Sequence, residues 1–175
     1  MSALVFLVQT LISLFLFVVL LRLLLQWVRA DFRNPLAQAL LQITNPAVVP
    51  LRRLLPSVYR LDTASVLLAV ALVMLKVAVV PLLLGHGLPP LLLWLWYSLK
   101  ELISTVIWTY LVAIFMYALL SMLAQNNYSP VQPLLAALCE PVLRPIRRLI
   151  PAIGGLDLSP LWAIIALQAL LILLS

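Results

Sequence analysis

One cysteine and one histidine stand in this chain of 175 residues. The lone Cys139 excludes an intrachain disulfide and any multi-cysteine metal site. The lone His86, set in a Gly-His-Gly turn, reads as an exposed loop residue and supplies no second axial ligand for haem. Charge is scarce as well: 9% of residues are charged, against about 25% in soluble domains. No GxSxG, HExxH, P-loop, paired-cysteine or dinucleotide pattern occurs, and Cys139 has no histidine near it in sequence. These shortages argue against an enzyme, and no cofactor or metal is expected.

Apolar residues fill the space that charge leaves. They make up 66% of the chain, with a mean hydropathy of +1.21. The run from Ala3 to Leu21 is uninterrupted by charge, and a bilayer core about 30 Å thick needs about 20 helical residues to cross it. Backbone groups in lipid must be satisfied within their own segment, so the runs are read as helices. They lack the alternation of barrel strands. The first run follows no basic stretch and continues past Arg22, which fits a retained helix better than a cleaved signal. Its length is accommodated by tilt, or by Arg22 snorkelling with Trp27 at the interface.

Four spans are expected, at about 3–28, 63–84, 102–123 and 158–174, with Lys100 and Glu101 at the boundary before the third. Arg22, Arg29, Arg33, Arg52, Arg53 and Arg60 lie in or beside the loop 29–62; Arg144, Arg147 and Arg148 lie in the loop 124–157. Basic residues in short loops mark the cytoplasmic side, which places both loops there and both termini outside. The same arginines account for the net charge of +6, so no nucleic-acid partner is needed to explain it.

The two halves are a duplication. A shift of 95 residues aligns Asn34-Pro35 with Ser129-Pro130. In the same register Pro46, Pro50, Arg52, Arg53, Pro56 and Asp62 meet Pro141, Pro145, Arg147, Arg148, Pro151 and Asp157. Prolines, a double arginine and an aspartate in register are far more specific than matched leucines. The repeats are assigned to residues 1–85 and 98–175, each with two spans, and are therefore parallel about an axis along the membrane normal. The expected fold is an all-α polytopic membrane protein of four transmembrane helices in two parallel two-helix repeats. Short interfacial helices occupy its cytoplasmic loops.

Within the loops, Asn34 and Ser129 are placed as N-caps before a proline at the first helical position. Leu36, Leu40 and Ile43 share one face and Gln38 and Gln42 another, as in an interfacial helix. Pro46 and Pro141 are expected to end these helices. A second short element follows at 51–55 and 146–150, between prolines. Asp62 and Asp157 then complement the dipole at the start of the returning spans.

The unit Asn34-Pro35, Thr44-Asn45-Pro46, Pro50 to Pro56 and Asp62 resembles the signature of the YggT family of integral membrane proteins. Pro145 to Pro151, with Gly154, Gly155, Asp157, Ser159 and Pro160, looks like its second copy. The resemblance covers nearly the whole chain and implies a bacterial inner-membrane protein of the duplicated type. It further implies association with cytochrome b6 haem attachment, with nucleoid or division-related organisation, or with osmotic stress. The copies differ where Cys139-Glu140-Pro141 replaces the Thr-x-Pro form, and where Asp62-Thr63-Ala64-Ser65 departs from Asp-x-Ser-Pro.

Arg52, Arg53, Arg147 and Arg148 are read first as topology anchors touching lipid phosphates, and more sharply as contacts for a protein partner or an anionic headgroup. Asp62 and Asp157 are read as caps or intramolecular partners of those arginines. Lys76 is the charge most at odds with its span; it either snorkels outward or faces a partner in the bundle. The function expected is a non-enzymatic assembly, organising or stress-related factor with a basic cytoplasmic surface. Its partners are the lipid bilayer, a membrane or cytoplasmic protein, and in an oligomer a second copy. Transport of a small solute or ion is the competing class, and haem handling rests on the resemblance alone.

Overall fold

A computed structural model of the chain describes residues 3–54, 62–123, 129–150 and 157–174. Among them lie six α-helices and no strand: α1 (Ala3–Trp27), α2 (Pro35–Leu54), α3 (Thr63–Leu83), α4 (Leu91–Leu123), α5 (Val131–Leu149) and α6 (Ser159–Leu174). By length and composition α1, α3 and α4 are long and apolar enough to cross a membrane, while α6 is a shorter apolar helix of 16 residues. Exposed leucines, phenylalanines and tryptophans cover these helices, a surface compatible with insertion into a membrane.

The chain forms two compact units, Met1–Leu23 with Leu40–Val106 and Leu24–Ala39 with Ile107–Ser175. In the first, Leu16, Val19 and Leu20 of α1 pack on Ala69 and Val73 of α3, with Leu102 and Val106 of α4 against them. The three- and four-residue spacing puts each set on one helical face, and Ala69 lets the backbones approach closely. In the second unit α5 packs on α6, burying Leu134, Leu138, Cys139 and Leu143 along α5 and Pro160 and Ala163 on α6. Between α3 and α4 the chain turns through Gly85 and Gly87, both left-handed with φ of 75° and 72°, a conformation that favours glycine.

Two expectations need correction. The loop helices do not stop at Pro46 or Pro141: α2 and α5 each run on past two internal prolines to the double arginine, so that residues 51–54 and 146–149 belong to them and form no separate element. A proline inside a helix costs about 3 kcal/mol. Here Pro46, Pro50, Pro141 and Pro145 all sit on exposed faces, as does Gln42, so carbonyls deprived of a donor face outward. Packing of the opposite face supplies the compensation. The packed face carries Thr44 and Val48, while Leu36 and Ile43 are exposed. Finally, Lys100 and Glu101 do not precede the third long helix, which begins at Leu91 and carries both inside it.

Candidate functional site

The polar side chains collect in two clusters, one in each unit. In the first, Arg52 on the last turn of α2 directs a fork at Asp62, the residue preceding α3. Its Nε donates to Oδ1 at 3.1 Å and its Nη2 to Oδ2 at 2.5 Å. Ser65 Oγ donates to the same carboxylate at 2.7 Å. From α1, Arg22 brings a second guanidinium, with Nη2 3.6 Å from Asp62 Oδ2. Arg22 Nη1 donates to Thr44 Oγ1 at 2.5 Å and to Asn45 Oδ1 at 3.0 Å, and the Thr44 hydroxyl donates in turn to the Leu40 carbonyl at 2.6 Å. The side chains of Arg22 and Asp62 are each 1% exposed, and that of Arg52 45%. Arg22 therefore does not snorkel to the interface as expected: a buried carboxylate draws it inward.

The second cluster repeats the clamp in other surroundings. Arg147 Nε donates to Asp157 Oδ2 at 2.9 Å, its Nη1 to Glu140 Oε2 at 3.0 Å, and its Nη2 to Tyr117 Oη at 3.2 Å. Asp157 Oδ1 accepts from the Ser159 amide at 2.9 Å and from the Ser159 hydroxyl. Arg147 is 33% exposed, Asp157 41% and Glu140 53%.

The electrostatics follow from these contacts. Burial pushes the Asp62 carboxyl upward, but bonds from Arg52 and Ser65 and the charges of Arg52 and Arg22 outweigh it and hold it below 3.8. The bond to Asp62 raises Arg52, against the opposing effect of burial. At Asp157 burial again acts upward, and the Ser159 bonds with Arg147 bring the carboxyl below its ordinary value. Burial pushes the Cys139 thiol up to about 12, with the Arg147 charge working the other way.

The remaining sequence-selected residues fall as follows. Asn34 caps α2, its Oδ1 accepting from the Leu36 amide at 2.9 Å, with Pro35 as the first helical residue. Asn34 Nδ2 also donates to the Pro130 carbonyl at 2.6 Å, which brings the two Asn/Ser-Pro motifs together. Ser129 is not the cap expected of it: α5 starts at Val131 and Pro130 takes the cap position without a side-chain bond. Asp62 precedes α3 and its carbonyl accepts from the Val66 amide, but its carboxylate makes no cap bond to the helix, because its oxygens are committed to side chains. Pro160 is buried at the second residue of α6. Pro56 and Pro151 lie outside the described residues. Arg53 and Arg148 are exposed and, among the described residues, form no ion pair.

Lys76 meets Glu101 of α4, Nζ to Oε1 at 2.5 Å, with both side chains part-buried. It thus faces a partner and not the outer surface. Sequence reasoning missed Glu101, Arg22, Thr44, Asn45, Tyr117 and Glu140 as members of these constellations. One signal was present for all of these but Glu101: the 95-residue shift sets Arg22 against Tyr117, Thr44 against Cys139 and Asn45 against Glu140, each a polar or reactive residue, whereas Glu101 falls against Phe6.

The family model described as CCB3/YggT matches residues 1–83 and again 96–175. An uncharacterised protein of Pseudomonas aeruginosa is 39% identical over 171 residues, covering 95% of this chain and 85% of its own. An uncharacterised protein of Vibrio alginolyticus from the proC 3′ region is 42% identical, covering 96% and 91%. The uncharacterised protein YggT of Escherichia coli K12 is 38% identical, covering 97% and 88%. No solved structure matches.

Proposed function

Since the chain belongs to the CCB3/YggT family, we propose that it is a non-enzymatic scaffold of the bacterial inner membrane, offering a basic cytoplasmic surface to a protein or lipid partner. One observation carries this reading: each double arginine divides its labour. Arg52 and Arg147 are committed to an aspartate ten residues on, which restrains the helix end. Arg53 and Arg148 stand exposed beside them, held in place for a planar, bidentate contact with phosphate or carboxylate.

The membrane arrangement belongs to the same proposal. The bilayer is crossed by α1, α3, α4 and α6, the last tilted least because 16 residues rise only about 24 Å. On the cytoplasmic face lie α2 and α5, with Leu36 and Ile43 turned toward lipid. The basic loops keep both termini outside.

In-membrane photo-crosslinking from positions 53 and 148, followed by mass spectrometry, tests the scaffold. One protein captured from both positions, and lost when Arg53 and Arg148 become alanine, is the expected result. Capture of neither protein nor anionic lipid overturns it.

Transport is the second reading, favoured by the Lys76–Glu101 pair inside two long apolar helices. Charge so placed commonly marks an ion or proton path. A cavity of about 190 Å³ lies between α3 and α4, but its walls are Val70, Val73, Met74, Leu95, Leu99 and Leu102, with Ser98 the polar group. Such a lining supplies little to replace an ion's hydration shell, which favours the scaffold. Solute flux in proteoliposomes separates the two.

A further inference from the structure

We propose that the first repeat contains a binding site for one phosphate group, formed by the guanidinium groups of Arg22 and Arg52 at the start of α3, and that the second repeat has no counterpart.

Charge balance is the first argument. Arg22 and Arg52 both address Asp62, so two cations share one carboxylate among the described residues. A buried charge needs a counter-charge and hydrogen-bond partners. Thr44 and Asn45 occupy Nη1 of Arg22 but bring no charge.

The second argument is an orphaned donor. Among the described residues, Nε of Arg22 is buried with no acceptor, in a side chain that is 1% exposed. Buried N–H groups nearly always find a partner, and an exception points to a water or an ion. This donor belongs to a planar fork suited to phosphate oxygens.

Helix polarity is the third. The cluster sits at the positive end of the α3 dipole, and the Asp62 carboxylate makes no cap bond to the helix. A helix N-terminus joined to two arginines is a ready anion site. Arg52, 45% exposed, is its open edge.

The second repeat reverses the charge balance. Tyr117 stands at the place of Arg22 and Glu140 at that of Asn45, so two carboxylates share Arg147. An approaching anion meets negative charge. This cluster is the built-in control.

Phosphate reaches such a site either as a lipid headgroup or free in solution. Native mass spectrometry of the full chain in a phosphate-free maltoside detergent distinguishes them. Short-chain phosphatidylglycerol is titrated in one arm and inorganic phosphate in the other, with uncharged diacylglycerol as control. The expected result is one bound equivalent, weakened about tenfold or more by Arg22→Gln and by Arg52→Gln, and unchanged by Arg147→Gln. Binding confined to phosphatidylglycerol assigns a headgroup site; binding in both arms assigns a general phosphate site. Arg52→Gln leaves the Arg22–Asp62 pair in place and guards against misfolding, checked by monodispersity. No retention in either arm overturns the proposal, and so does equal loss with Arg147→Gln. The site excludes Arg53 and Arg148, so its failure and that of the scaffold reading are separately visible.

Discussion

The two clusters share a clamp and differ in almost everything around it. In both, an arginine on the last turn of a proline-containing helix holds an aspartate ten residues later. Around Asp62 the clamp is closed over by a second guanidinium from α1, and the carboxylate is buried. Around Asp157 it is open, with Glu140 as a second carboxylate and Tyr117 as a neutral partner. The same ion pair is worth little in high dielectric and much where removing one partner strands a buried charge. Of the two clusters, one is therefore a structural lock and the other a looser clamp.

Removing the carboxylates is the strongest way to break that comparison. Asp62→Asn leaves the buried Arg22 without its counter-charge and is expected to cost about 3–5 kcal/mol. Asp157→Asn removes a pair open to solvent and is expected to cost about 1 kcal/mol or less. Denaturant unfolding in maltoside micelles, followed by circular dichroism, reads both; equal losses would erase the distinction.

Acid gives a finer test. The folded Asp62 carboxyl lies below 3.8, so its contribution is present above that value and is lost as the pH falls through the lower folded one. An acid-induced loss of stability below pH 3.8 is expected in the wild type. It should persist in Asp157→Asn and be much reduced in Asp62→Asn. A transition of the same size in both variants would place the acid-sensitive lock elsewhere.

The smallest effect concerns the position shared by Thr44 and Cys139. With its thiol pushed up to about 12, Cys139 carries little thiolate near neutrality, and the thiolate is the reactive form. At pH 8 it should react with maleimide more than about a hundredfold slower than a cysteine introduced by Arg148→Cys at an exposed position. Comparable rates would mean that the α5–α6 contact opens readily.

Legibility divides along the same lines. Asn34 was readable as a cap because an Asn-Pro pair before an apolar helix satisfies purely local backbone needs. The arginine partners of Asp62 and Asp157 were readable because the duplication carries Arg52 and Asp62 together. The continuity of α2 was not, since whether a helix survives Pro46 and Pro50 depends on what its far face packs against. Arg22 was misjudged for a related reason: a charge near a span end reads as snorkelling until the fold shows a buried carboxylate 3.6 Å away. Glu101 looked like a boundary because a lone carboxylate in an apolar run has no visible partner, and Lys76 lies 25 residues distant.

By itself the sequence determined the long apolar helices, the 95-residue register of prolines, arginines and aspartates, and the family, because each depends on composition, period or register along the chain. Only the tertiary structure decided which charges are buried and what they meet. Burial and pairing depend on contacts between segments distant in sequence, and it is burial that sets whether an ion pair is a lock or an ornament of the surface.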